Sequence, residues 1–152
     1  MQNQGVQNQG VQNQGVQITE DHYTLMFDGG SRGNPGICGS GFVIYDNTNS
    51  PIWEGYKKVS EKNTNNYAEY MGIILGMAFA IEKKIHNLHI KGDSLLVINQ
   101  LLGKWKVNSD NIKPLYTQAK KLMGLFKVVT LSHVKRDNNK YADKLANKAM
   151  DE

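Results

Sequence analysis

Cys38 is the only cysteine among 152 residues, so no intramolecular disulfide can form and a disulfide-stapled secreted scaffold is excluded. A reducing, intracellular (cytoplasmic) setting is the corresponding expectation. Long apolar runs are missing too. The longest strongly apolar stretch, roughly Met71 to Ile81, is too short to span a bilayer, and the N-terminus lacks a basic region followed by an apolar one, so no membrane partner is expected. Charge and large core-forming side chains are absent from residues 1–17, where Met1 precedes three copies of Gln-Asn-Gln-Gly-Val and then Gln17. A period of five matches neither a heptad nor a stacking repeat of about 20 residues or more. Gln, Asn and Gly cannot bury a core. Residues 1–17 therefore read as a disordered low-complexity tail, and 18–152 as one domain of ordinary size.

What the chain does have is charge, unevenly spread. Behind a net +4, the stretch from Lys83 to Lys148 holds fourteen basic and four acidic residues, whereas Ile18 to Glu82 holds four basic and eight acidic. Such a block either suits a polyanionic partner or is a solvated surface. The four acids that interrupt it are Asp93, Asp110, Asp137 and Asp143.

Three runs rich in aromatic and β-branched residues come first: Tyr23 to Asp28, Gly39 to Asp46 and Ile52 to Val59. Turn signals at 33–36 and 47–51 separate them, which predicts an antiparallel meander. From Asn65 to Lys84 the period becomes helical, with Met71, Ile74, Leu75 and Ala78 on one stripe beside Gly72, Gly76 and Ala80. Glycine costs a helix about 1 kcal/mol relative to alanine, so these positions imply close approach to the sheet. A strand at Leu88 to Gly92, a helix opening at Ser94, a helix from about Ile112 to Leu125 with Pro114 in its first turn, and a strand at Lys127 to Val134 follow. The last helix starts near Asn138 or Asn139, either of which can cap it. The order β-β-β-α-β-α-α-β-α predicts an α/β fold: a five-stranded mixed sheet, three strands antiparallel and two parallel, with helices on both faces.

Asp28 would end the first strand, Glu69 lies in the first helix, Asp93 ends the fourth strand and Asp143 opens the last helix. If strands one and four are neighbours, the two aspartates emerge side by side and each of two helices can lower another carboxylate onto them. Four carboxylates at one point repel unless a cation binds. Oxygen donors favour Mg²⁺ or Mn²⁺, whereas zinc would want Cys and His. Two such ions can assist an in-line displacement at a phosphodiester. Each acid also has a plain structural use, as a turn former, a helix-dipole partner or a surface charge.

Asp28-Gly29-Gly30-Ser31-Arg32-Gly33-Asn34-Pro35-Gly36, Thr64-Asn65-Asn66-Tyr67-Ala68-Glu69, Gly92-Asp93-Ser94 and Arg136-Asp137-Asn138-Asn139-Lys140-Tyr141-Ala142-Asp143-Lys144-Leu145-Ala146 resemble, in order, the motifs of type-1 ribonuclease H. The resemblance spans Phe27 to Ala149. It implies the ribonuclease H-like fold and endonucleolytic cleavage of the RNA strand of RNA–DNA hybrids, leaving a 5′-phosphate and a 3′-hydroxyl. It also implies two divalent ions, Mg²⁺ or alternatively Mn²⁺, held by Asp28, Glu69, Asp93 and Asp143. By the same resemblance Asn65, Asn66 and Ser94 would meet the RNA strand near its 2′-hydroxyls. Asn34 and Thr64 would hold a phosphate of the DNA strand. Thr64 or Asn65 can also cap the first helix, and Asn34 before Pro35 suits a turn.

The chain departs from the family pattern in three places. No glycine lies between His133 and Asp143, so the loop that carries a helper histidine in many members is short; His133 is a candidate for that role and Arg136 a substitute. Only Gly103-Lys104-Trp105-Lys106-Val107-Asn108 stands where some relatives carry a basic protrusion, which makes this a compact form. Trp105 is expected to pack against the helices or to stack on a DNA sugar. Leu95 replaces a glutamine common in relatives. The expectation is a monomer acting on hybrid with no obligatory protein partner; the alternatives are a non-cleaving nucleic-acid-binding module of the same fold and a related DNA-processing nuclease.

Overall fold

A computed structural model describes residues 21–152; the tail expected over 1–17, and the first residues of the domain expected over 18–152, lie outside the described residues. The elements are β1 (His22–Arg32), β2 (Gly36–Tyr45), β3 (Pro51–Asn63), α1 (Asn65–Glu82), β4 (Asn87–Gly92), α2 (Leu95–Leu101), α3 (Lys113–Met123), β5 (Val128–His133) and α4 (Lys140–Met150), with a 3-10 turn at Arg136–Asn138. The strands make one sheet in the order β3-β2-β1-β4-β5. Pairing is antiparallel across β3, β2 and β1 and parallel across β1, β4 and β5. This is the mixed sheet the sequence predicts.

Alternation along the strands sorts side chains between the two faces. On one face Leu25, Phe27, Leu88 and Ile90 meet Ile73 and Met77 of α1, with Leu115 and Ala119 of α3 behind them. Each fully buried aliphatic side chain there contributes about 1.5–3 kcal/mol. That outweighs the roughly 1 kcal/mol per helix glycine. Gly72 shows why the glycines are needed: a Cβ there would stand 2.6 Å from the Asp28 main-chain oxygen. On the other face, Leu145 and Ala146 of α4 sit directly over Gly41 of β2. Ala142 and Ala149 of the same helix are buried. One polar pair is buried within the α1 side: the Tyr70 hydroxyl donates to Gln100 Oε1 at 2.6 Å, and Gln100 Nε2 donates to the Lys106 carbonyl at 3.2 Å. That ties down the segment between α2 and α3.

Two strand ends differ from expectation. β1 does not stop at Asp28 but continues through Arg32, with Gly29 opposite Ser40 and Gly30 opposite Gly39. Both glycines are strand residues packed by a helix, Gly29 by α1 and Gly30 by α4: a Cβ on Gly29 would be 2.2 Å from the Ala68 carbonyl, and one on Gly30 3.2 Å from the Met150 Cε. β3 likewise runs on to Asn63, past Val59. Among the described residues, no helix is long and apolar enough to cross a membrane.

Candidate active site

The parallel half of the sheet ends one residue before Asp28. β4 stops at Gly92, opposite Phe27. Beyond that pair β1 keeps its partner on one side only, and the space on the other side receives the neighbouring acids. Asp93 is the next residue of the chain after β4. Glu69 comes from the second turn of α1, brought near by the Gly29 and Gly72 contacts. Ligand oxygens of Asp28, Glu69 and Asp93 all lie within 4.8 Å of one another. Asp143, in the first turn of α4, is outside that tight group but lines the same open cleft of about 530 Å³.

The electrostatics follow from crowding and burial. Asp28 is 5% exposed, and its carboxyl is pushed up to about 8, first by burial and then by the charge of Asp93. The Gly29 N–H, donating to Oδ1 at 2.9 Å, opposes this, while Asp143 adds to it. Burial, then Asp28 and Asp93, hold Glu69 well above the usual carboxylate range. Its Oε1 is fully shielded and has no hydrogen-bond partner. Asp93 is raised by burial, with the Arg136 guanidinium the largest opposing influence. An orphaned anionic oxygen among three converging carboxylates is compensated only by protons or by a cation. The donors are all hard oxygens, so the residues present fit a divalent ion of the Mg²⁺ or Mn²⁺ kind.

Asn139 is the site residue that sequence reasoning missed. It stands at the cap position of α4, as expected, but its side chain makes no cap hydrogen bond. Its Nδ2 donates instead to the Phe27 carbonyl at 2.8 Å, and the residue is 2% exposed. It also favours the charged form of the Asp93 carboxylate. An asparagine before a helix looks like a cap in sequence, and nothing local distinguishes the two uses.

Two of the expected substrate-binding residues, Asn34 and Asn65, are joined to each other. Asn34, at φ 33° in the turn after β1, accepts from the Asn65 N–H at 2.9 Å. Asn65 Oδ1 accepts from the Ser31 N–H at 2.6 Å, so the β1–β2 turn is fastened to the start of α1. Thr64, not Asn65, caps α1, through the Tyr67 N–H at 3.2 Å. Ser94 caps α2 through the Val97 N–H at 3.3 Å. Asn66 is exposed on the first turn of α1. Of the five, Asn65 lines the cleft, and Asn34, Thr64, Asn66 and Ser94 do not.

His133 ends β5, its Nε2 3.3 Å from the Asp93 carbonyl oxygen, while Arg136 lines the cleft. Trp105 remains 45% exposed, and Leu95 46%, so neither is a packed core residue. Asp110 pairs with Lys113 at 3.2 Å, an exposed contact within one turn, and Asp137 lies in the 3-10 turn.

The reverse transcriptase-like family model matches residues 26–149. A bifunctional protein of Mycobacterium tuberculosis is 41% identical over 124 residues, covering 82% of this chain and 34% of its own length. The solved N-terminal ribonuclease H domain of that protein, fused to maltose-binding protein, superposes with a TM-score of 0.83 at 38% identity, covering 87% of this chain and 95% of that one. The chain thus spans about a third of the length of the curated relatives it first matches. Ribonuclease HI of Halobacterium salinarum is 36% identical over 126 residues, covering 83% of this chain and 63% of the relative. Its crystal structure gives a TM-score of 0.83 at 35% identity, covering 86% and 98% of the two chains. A ribonuclease H1 isolated from compost by a metagenomic approach, crystallised with an RNA/DNA hybrid, gives 0.78 at 28% identity, covering 85% and 96%.

Proposed function

The chain belongs to the reverse transcriptase-like family and, within it, to the type-1 ribonucleases H, and from that footing we propose that it hydrolyses the RNA strand of RNA–DNA hybrids. The observation that carries this reading is the convergence of Asp28, Glu69 and Asp93 within 4.8 Å at the end of the parallel ladder. A non-cleaving module of the same fold has no need to keep so costly a group of buried acids.

Asp28, the most buried of the four, would hold both ions, Glu69 and Asp93 the one near the leaving group, and Asp143 the one on the side of the attacking water. Held there, such ions would stabilise the attacking and leaving oxygens of an in-line displacement, which would leave 5′-phosphate and 3′-hydroxyl ends. The protein's own part is positional. β1 fixes Asp28, the Gly29 N–H orients its carboxylate, and Asn139 ties the head of α4 to β1 through the Phe27 carbonyl. Arg136 offers a positive charge next to Asp93. Asn65, Asn66 and Ser94 are proposed to meet the RNA strand near its 2′-hydroxyls, the group that separates RNA from DNA. Asn34 and Thr64 are proposed to hold a DNA-strand phosphate. The basic half supplies the long-range attraction.

The test is a cleavage panel of RNA–DNA hybrid, double-stranded DNA and double-stranded RNA, each with Mg²⁺, Mn²⁺ or EDTA. Metal-dependent loss of the hybrid's RNA strand alone is expected. Binding without cutting under every metal condition would establish the non-cleaving module instead, and preferential cutting of double-stranded DNA the DNA-processing nuclease.

A further inference from the structure

Resting on the proposed hybrid-cleaving reading of the same cleft, we infer that Arg32 is a phosphate-binding residue beyond the catalytic carboxylates, and that Asp151 occupies its guanidinium until nucleic acid arrives. β1 is regular from Thr24 to Arg32, so Asp28, Gly30 and Arg32 stand on one face of the strand. Four strand residues span about 13 Å, the reach of a few nucleotides along one strand. Gly30 carries no side chain, and one cleft is lined by Asp28, Gly30 and Arg32 together with Asn147 and Met150 of α4, the Met150 Cε lying where a Gly30 side chain would point. Arg136 lines the same cleft near Asp93, so the carboxylates share it with two guanidinium groups.

Arg32 Nη1 is 2.6 Å from Asp151 Oδ1, and Nη2 donates to the Asn147 carbonyl at 3.4 Å. Both charged side chains are well exposed, at 47% and 65%. An exposed pair of this kind adds little to stability and is screened by salt, so fastening β1 to the end of α4 is a weak reason for it. Asp151 engages only Nη1 here, so the planar fork is not used in full, whereas a phosphate in the cleft can accept two parallel hydrogen bonds from it. Asp151 competes for the same nitrogens as an internal anion. Exchange of Asp151 for phosphate leaves Asp151 in water, where its exposure already places it.

The experiment measures the Kd of a short RNA–DNA hybrid by fluorescence anisotropy, with Ca²⁺ in the buffer, across a salt series, for the parent, Arg32→Gln, Arg32→Lys, Asp151→Asn and the Arg32→Gln/Asp151→Asn double variant. Arg32→Gln is expected to weaken binding about fivefold and to lower the slope of log K against log salt by about one. Arg32→Lys, which keeps charge without the fork, falls between. Asp151→Asn tightens binding in the parent background and has no effect once Arg32 is gone. That dependence separates competition for Arg32 from a general change in net charge. Parental Kd and slope in Arg32→Gln would overturn the inference, as would an Asp151→Asn effect that persists in the double variant. Cleavage of hybrid by the parent in Mg²⁺ is scored separately: its failure removes the nuclease reading, whereas the Kd comparison judges Arg32 alone.

Discussion

The side-chain amide of Asn139, at the head of α4, donates to the main-chain oxygen of Phe27, the β1 residue immediately before Asp28, at 2.8 Å. This bond joins the head of the helix that carries Asp143 to the strand that carries Asp28, beside the packing of α4 over Gly39 and Gly41. The same side chain favours the charged form of Asp93.

Asn139→Ala should therefore cost both stability and activity. Removing the donor leaves a buried carbonyl unpaired, a loss of about 1–3 kcal/mol. Hybrid cleavage should fall at least tenfold at a temperature where the variant is fully folded. Thermal melting followed by a cleavage assay checks both, and unchanged melting with full activity would show that the bond positions nothing.

Gly29→Ala tests whether α1 must touch β1. The added Cβ would fall 2.2 Å from the Ala68 carbonyl, a backbone atom that cannot step aside without moving the helix. Overpacking of this severity costs about 3 kcal/mol or more. Glu69, the next residue, moves with the helix, so divalent-cation affinity should drop along with the melting temperature. A variant with parental melting and parental cation affinity would contradict the close-approach account.

Most of the fold could be read from sequence because its periods are clean. Gly72 and Gly76 within an apolar helix pointed to close packing on the sheet, and the alternation of strands and helices gave the mixed sheet. Of the four acids, Asp93 follows a strand end and Asp143 sits in the first turn of a helix, as the pattern places them, whereas Asp28 lies inside β1 and Glu69 in the second turn of α1. What stayed hidden depends on contacts between distant segments. The first strand read as ending at Asp28, because the pairing of Gly29 and Gly30 with Ser40 and Gly39 is a contact with β2 that the local pattern does not show. Asn139 looked like a cap because its true partner, Phe27, is 112 residues away. Thr64 and Asn65 were interchangeable as caps in sequence, and the Ser31 N–H decides between them by engaging Asn65.

The crowding of acids also sets a pH dependence in metal-free protein. The Asp28 carboxyl rises from an ordinary 3.8 to about 8 in the fold. The folded state therefore holds a proton that the unfolded chain releases near pH 4. The stabilisation is fully present below pH 4 and is lost as pH rises through 8. In EDTA the parent should melt lower at pH 8 than at pH 5. Asp28→Asn, neutral at every pH, should exceed the parent at pH 8 by at least about 3 °C, the shift that roughly 1 kcal/mol produces in a domain of this size. Equal melting of parent and variant at pH 8 would mean that the burial of Asp28 carries no such cost.

The most direct test of the central claim, that these carboxylates form a divalent-cation site for cutting hybrid RNA, is a titration of hybrid cleavage with Mg²⁺ and with Mn²⁺ on the parent and on Asp28→Asn. The parent should be silent in EDTA and should gain activity as either cation is added. Asp28→Asn should lose at least about a thousandfold in rate, on the order of 4 kcal/mol of transition-state stabilisation, at cation concentrations that saturate the parent. Cleavage that proceeds in EDTA, or that survives Asp28→Asn at the parental rate, would contradict the account.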